Sequence, residues 1–561
     1  MRLMLHVSYL VLYFILQFAY VQSQNSTCDR TCLESILNGY LEALVAHDPS
    51  RLSLSPDVIY VENSQYLTIG TGAWRTATEL GTYRHVFADP LSGQVAAITT
   101  LMENGIPVIY VVRLKSTLNK TLTEIETQIT RDDEGARRYE KMKTPENIWL
   151  QTVPYEKRLS RDRLVEQTNK YYNGMERNDP RGDYSFFHKD CNRLEDGLQT
   201  TNQNNSDPYG HSNDTAFASL GCEAQFQTGF LGFVTKIRDR RYPVIDEERQ
   251  SVFAITIFDH NGTVRYLPSV NGTSSLIPPY FDVPRTLTAS EAFRLEGEKL
   301  FRIEMTLTEV PYGMRSAFKT PSHSQANYTG RIMSSNKYCG RTCLYDVLDL
   351  VLSCMSRNDT THLPLAGDIR YSENGQFMPV GDGLWQTLNE FAHPNSHIYA
   401  ARFVDVESGI VAYWGLTREQ STRGILALRI EFNNRTIRNI DAAIVRAETA
   451  GERGGTMTLM RPPLPIEWNG TLEGLDSGFH QDSPHSKSHL AMLAADYLNG
   501  IEKHSSLDVA FGTSCSRRDN GLGSNITCSL QMDGQGPHPN GLFNTTSFVG
   551  DRRHNSSRSS T

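Results

Sequence analysis

Apolar positions recur along the chain with two periods. Ile36, Leu37, Tyr40, Leu41 and Leu44 follow helical spacing and predict an amphipathic helix near the start of the mature chain. Asp57 to Asn63 then alternates as a half-buried strand does, and Trp74 to Tyr83 reads as a second helix. Gln94–Ile98, Pro107–Leu114 and Leu122–Thr130 are β-rich runs parted by turn residues. Further on, Phe230–Arg238, Val252–Phe258, Glu291–Leu295 and Lys299–Leu307 repeat that β-rich character. The order predicts α+β units in which helices come first and a curved antiparallel sheet follows.

One phrase carries this plan through the chain four times. Tyr171 to Asp179, followed by Asp190 to Gly197, is echoed by Tyr40 to Asp48 with Asp57 to Asn63. It returns as Val351 to Asp359 with Asp368 to Gly375, and as Tyr497 to Ser505 with Cys515 to Gly521. The predicted layout is a unit at 28–143, a longer one at 158–318 with two polar loop insertions, a linker at 319–337, a third unit at 338–446, a linker at 451–488 and a partial unit at 489–561. Units one and three agree most closely, for Gly70-x-Gly72-x-Trp74 matches Gly381-x-Gly383-x-Trp385. The fourth has the helix and first strand but no later strands.

A length of 561 residues suits several domains, and a net charge of −8 with no concentrated basic patch argues against nucleic acid as a partner. Arg2, an apolar run to Val21 and Ser23 read as a secretory signal peptide over 1–23, with a membrane anchor as the rival reading. Asn-x-Ser/Thr acceptors at Asn25, Asn119, Asn204, Asn213, Asn261, Asn271, Asn327, Asn358, Asn434, Asn469, Asn525, Asn544 and Asn555 describe a secreted glycoprotein. Cysteines are then expected in disulfides. Cys28 with Cys32 and Cys339 with Cys343 share one place in two units, while Cys191 with Cys222 and Cys515 with Cys528 share another. Cys354 is left over, at a small-residue helix position, and is expected as a buried thiol. No metal or cofactor motif is present, and no membrane contact is expected after signal removal.

A helix Tyr, an Asp eight residues later, then a strand ending in Glu-Asp or Glu-Asn before a turn, resembles the SnoaL-like and ketosteroid-isomerase-like branch of the NTF2-like fold. The resemblance implies tandem cone-shaped units, each a curved sheet around helices enclosing an apolar pocket. In ketosteroid isomerases, which the general literature of catalysis treats as a worked case, a Tyr and a protonated acid hold an enolate oxygen while a second carboxylate moves the proton. Position by position this implies Tyr171 as donor, Asp196 as base and Glu291 as the protonated acid. Arg193 and Arg241 are further candidate ligand contacts. The base position holds Asn63, Asn374 and Asn520 in the other units, and an amide cannot take up a proton near neutral pH. Alignment on Arg113 and Arg429 puts Tyr110 and Leu426 at the place of Glu291, and Val351 stands at that of Tyr171. Only unit two fills all three positions.

The competing structural reading is that Asp196-Gly197 is a turn pair, the helix Tyr is core and Glu291 faces solvent. Glu62, Glu195, Glu373 and Asp519 recur at one position and point to architecture rather than chemistry. Arg240 to Arg249 reads as a solvated charge cluster, and Asp246, matching Asp89 and Asp405, as a turn residue. Function divides between a secreted enzyme doing isomerisation, cyclisation or dehydration on an apolar carbonyl compound, such as a secondary metabolite, and a non-catalytic glycoprotein. The latter would bind a hydrophobic ligand or a protein, or self-associate through its sheet faces.

Overall fold

The structure is a computed structural model that describes residues 28–203, 216–268, 274–277, 284–318, 339–392, 400–419, 422–446, 486–512, 515, 517–519, 522–523 and 527–533. The signal segment, the linker at 319–337, most of 451–488 and the acceptors Asn25, Asn204, Asn213, Asn271, Asn327, Asn469, Asn525, Asn544 and Asn555 lie outside these residues. The chain divides into two compact units. One holds repeats one and two with Gln376–Thr387, the other the rest of repeat three with repeat four.

Repeat one opens on α1 (Arg30–Val45), whose first turn is capped by the Asp29 side chain accepting from the Cys32 N–H at 2.9 Å. Its sheet follows: β1 (Leu54–Glu62), β2 (Ala77–Asp89), β3 (Gln94–Glu103), β4 (Ile106–Ser116) and β5 (Leu122–Thr130). Spatially the order is β1-β5-β4-β3-β2, with Gln65–Tyr66 pairing on the edge of β1. The expected helix at 74–83 is only the single turn α2 (Ala73–Thr76). Val86, Phe87 and Ala88 belong to one long strand, and long-range pairing overrides the local pattern from Ala77 onward. The sheet is mixed rather than antiparallel, since β1 runs parallel to β5.

Repeat two repeats this order. The helix α4 (Arg161–Arg177) follows α3 (Asp133–Met142), and β6 (Phe187–Glu195), β7 (Lys236–Asp246), β8 (Ser251–Asn261), β9 (Pro284–Glu296) and β10 (Lys299–Val310) form a sheet ordered β6-β10-β9-β8-β7. The short helix α5 (Cys222–Gln227) lies between β6 and β7 in sequence, and Phe230–Phe233 is a 3₁₀ turn rather than the start of a strand. Again the first strand is parallel to the last.

Each sheet in the first unit has two buried faces. In β9, Leu287, Ala289, Phe293 and Leu295 pack with α4, whereas Ala292 joins a second core shared with repeat one. That shared core contains Tyr83, Phe87, Ile98, Val111, Tyr139, Trp149, Val244 and Phe253. Polar side chains pair across it: His85 Nδ1 lies 2.7 Å from Glu304 Oε2, Tyr83 donates to Glu304 Oε1 at 2.8 Å, and Ser290 donates to Gln128 at 2.8 Å. Two reciprocal ion pairs close the rims. Arg30, which opens α1, binds Asp246 at 2.6 Å, and Arg161, which opens α4, binds Asp89 at 2.6 Å. Asp246 is 1% exposed, so the charge cluster around it is a packing device and not a solvated one.

In the second unit, α6 (Arg341–Ser356) precedes β11 (Leu365–Glu373), β12 (Leu388–Phe391), β13 (Ala400–Asp405), β14 (Ile410–Glu419), β15 (Thr422–Asn433) and β16 (Thr436–Arg446). These take the order β11-β16-β15-β14, with β12 and β13 both pairing β14. Repeat four contributes α7 (Lys487–Lys503) and short pieces to Met532. Disulfides join Cys28–Cys32, Cys191–Cys222, Cys339–Cys343 and Cys515–Cys528, and Cys354 is a free, buried thiol. Asn119, Asn358 and Asn434 are exposed, and Asn261 is partly so. No described helix is long and apolar enough to cross a membrane.

Candidate acid–base site inside repeat two

The buried stripe of α4 runs Leu164, Gln167, Thr168, Tyr171, Tyr172 and Met175, the i, i+3, i+4 series that lays one face on the sheet. Ser160 caps the start of this helix, and Asn178, in the left-handed region at φ 45°, ends it. Arg240 of β7 fixes the side of the helix, donating to Asn169 at 2.9 Å and to Glu176 at 2.6 Å. Tyr171 and Tyr172 therefore point at the middle of the sheet, each ring packed edgewise on Phe293.

Alternation along β9 puts Glu291 on that same face, between Ala289 and Phe293. It is 0% exposed, so the solvent-facing reading does not hold. Burial pushes its carboxyl up to about 8, against the opposing pull of the Tyr172 and Tyr171 hydroxyls and of Arg193. Burial together with the Glu291 charge also raises both phenols well above their ordinary value. Arg193, 3% exposed on β6, bonds Glu195 at 2.7 Å, Gln225 of α5 at 2.8 Å and Thr200 at 3.1 Å. Burial works against the Arg193 charge, but Glu195, Tyr171 and Glu291 outweigh it.

The cluster is buried and polar. Both Glu291 oxygens, the hydroxyls of Tyr171, Tyr172 and Thr256, and Nη1 of Arg193 are buried and close no hydrogen bond of standard geometry among the described residues. The two phenol hydroxyls lie near enough to Glu291 to favour its charged form. An unpaired buried polar atom costs about 1–3 kcal/mol, so a group of them is an arrangement suited to an incoming polar partner.

In repeats one and three the interior Tyr and Glu groups are paired. In repeat one, Tyr40 and Tyr110 hydroxyls pair at 2.9 Å, and Glu62 accepts from Tyr60 and from the Ala73 N–H, both at 2.9 Å. In repeat three, Glu373 is bound by Tyr371 at 3.2 Å and by Arg446 at 2.9 Å. Sheet register corrects the sequence alignment here. Asp246, Ser251 and Arg294 share a row as Asp89, Gln94 and Lys115 do, and as Asp405, Ile410 and Glu431 do. The counterparts of Glu291 are thus Val112 and Leu428, not Tyr110 and Leu426, and both are apolar.

Two expected site residues stand elsewhere. Asp196 occupies a left-handed turn position at φ 42°, as Asn63 and Asn374 do at 47° and 49°. Its carboxylate accepts from the Leu307 N–H at 3.3 Å, the service that Asn63 gives Ile129 and Asn374 gives Ile444. The acid whose charge reaches Tyr171 and Glu291 is its neighbour Glu195. Arg241 faces repeat one, where it binds Glu126 beside Arg113 and donates to Ser316 at 3.1 Å. Glu195, Tyr172, Gln225 and Thr256 are the members that sequence reasoning passed over. Strand alternation from Cys191, through Arg193 to Glu195, was the signal available for the first of them. Among the described residues no group of acids, histidines and cysteines has the makings of a metal site.

Residues 157–307, which contain this whole cluster, match a family described as "Domain of unknown function (DUF8021)". No curated protein matches the chain. A solved structure described as "Crystal Structure of Putative Isomerase from Bacillus subtilis" is similar over 26% of this chain and 87% of its own, at 8% identity and a TM-score of 0.16.

Proposed function

We propose that repeat two is an acid–base enzyme unit acting on an apolar carbonyl compound, of the isomerase type. The observation that carries this is the set of unpaired buried groups around Glu291, on the face where α4 meets β9. At neutral pH a carboxyl raised to about 8 is largely protonated, so Glu291 donates a hydrogen bond, as do Tyr171 and Tyr172. Three donors converge where a substrate oxygen takes up negative charge, in a water-poor setting in which such donors act most strongly. The carboxylate of Glu195 takes a proton from the carbon beside the carbonyl. The electron pair of that C–H bond passes to the oxygen as an enolate, and the proton returns at a carbon conjugated to it. Arg193 holds Glu195 in place through their 2.7 Å ion pair. Proposed SnoaL-like tandem units, secretion and glycosylation are compatible with the four disulfides.

The test is hydrogen–deuterium exchange at the α-carbon of hydrophobic cyclic ketones in heavy water, followed by NMR with the full chain. Exchange is expected, and Glu195→Gln or Tyr171→Phe should each slow it by about 10²-fold or more. Asp196→Asn should leave it nearly unchanged. Ketone binding without any exchange contradicts the enzyme reading and favours a binding module.

A further inference from the structure

Among the described residues, repeat three leaves open the sheet face that repeats one and two cover for each other. By register, Phe403, Ala412, Arg429 and Asp441 form one row across β13, β14, β15 and β16. In repeat one the same row is Phe87, Ala96, Arg113 and Glu126, and it is buried. In repeat three, Phe403 is 43% and Trp414 48% exposed, and the Arg429–Asp441 pair, at 2.9 Å, is partly open to solvent. A hollow of about 370 Å³ lies on this face, floored by Ala412, Ala427 and Ala443 beside Phe403 and Trp414. In repeat one Phe253 of repeat two packs over this place, its ring 5.4 Å from that of Phe87.

The rim bears on what fits there. Repeats one and two are held by an arginine at the start of each helix reaching an aspartate at the end of the other's strand. Repeat three carries both halves itself. Arg341 opens α6 as Arg30 opens α1, and Asp405 ends β13 as Asp89 ends β2. Arg341 is exposed and, among the described residues, reaches only the Tyr345 hydroxyl at 3.5 Å. A surface that carries both members of a reciprocal pair is self-complementary, as a two-fold interface requires.

We propose that repeat three pairs face to face with repeat three of a second copy of this chain. Phe403 and Trp414 of each copy fill the alanine-floored hollow of the other, and Arg341 of each binds Asp405 of the other. Asp405 is held at present by Lys487, the first residue of α7, at 2.6 Å with a lysine side chain 59% exposed. The guanidinium displaces this ammonium, so Lys487 competes with pairing.

Sedimentation velocity on the secreted full chain across the micromolar range tests this. A reversible dimer is expected, weakened about a hundredfold by Trp414→Glu and by Arg341→Asp, since both remove groups at the centre or the reciprocal rim of the face. Arg341→Asp combined with Asp405→Arg should recover most of the affinity, and Lys487→Ala should tighten it. Circular dichroism shows that each variant keeps its fold, which exposed positions favour. A wild-type monomer throughout the range, or a dimer that Trp414→Glu leaves intact, overturns the proposal; so does failure of the charge swap to restore pairing.

Discussion

Glu291 is one acidic group among Leu287, Ala289, Phe293 and Leu295 on its face of β9, and its cost to the fold is a measurable consequence. The unfolded chain ionises this carboxyl near its ordinary value of 4.5, whereas the folded chain holds the proton until about pH 8. The folded pKa is the higher one, so the full stability is present below pH 4.5 and is lost as pH rises towards 8. Over that window the loss attributable to Glu291 is on the order of 4 kcal/mol. Glu291→Gln, which cannot ionise, should remove this slope, so that the variant gains on the wild type as pH rises. Chemical denaturation at pH 5 and pH 8 measures it. Glu195 and Asp196 show how finely such sites are set, for the two acids are neighbours. Side-chain alternation sends the first inward, while a left-handed turn commits the second to the Leu307 N–H.

Among the elements, α5 is tied into place by a crosslink. Cys222 opens it and is tied to Cys191 of β6, closing a loop with a sequence separation of 31. Gln225 on the same helix grips Arg193 and also donates to the carbonyls of Thr200 at 2.6 Å and Phe217 at 2.9 Å. Replacing Cys191 and Cys222 together by Ser should cost about 2–4 kcal/mol, read by thermal unfolding. It should also raise the Glu291 midpoint, because a loosened Arg193 supports the carboxylate less. These elements were partly legible in the sequence. The helix at Tyr171, the strands near Val252 and Lys299 and the recurrent places of the cysteines followed from period and recurrence. The strand at 77–89 did not, because its hairpin with β3 overrides the helical spacing read over Trp74 to Tyr83. Nor did the parallel β1–β5 pair, whose partners stand more than sixty residues apart. The placement of Tyr110 and Leu426 opposite Glu291 was two residues out, because arginines on different rows were matched.

At the scale of the first unit, two sheets share a core that no single repeat contains. Glu304 is the polar centre of that core, taking a hydrogen bond from Tyr83 and pairing with His85. Glu304→Ala strands both partners in a dry interface and should cost about 3 kcal/mol or more, with loss of cooperative melting between repeats one and two. Differential scanning calorimetry reads this as a split transition. Arg241 belongs to this same interface, which is why its local sequence, a run of charges before a hairpin, gave no hint of its partner Glu126. Packing between repeats assigns such residues, and only the relation of two sheets reveals it. The paired Tyr and Glu groups in repeats one and three, against the unpaired ones around Glu291, are the reason the chemistry is proposed for repeat two alone.

The enclosed site is tested most directly by the titration of Glu291 itself. A carboxyl-carbon NMR titration of the full chain, with Glu291→Gln to assign the signal, should show a midpoint near pH 8, and a bound hydrophobic ketone should move it. A midpoint in the ordinary range, about 4.3, that no ketone shifts contradicts the account, for the carboxyl would then be open to water and unable to hold a proton for catalysis.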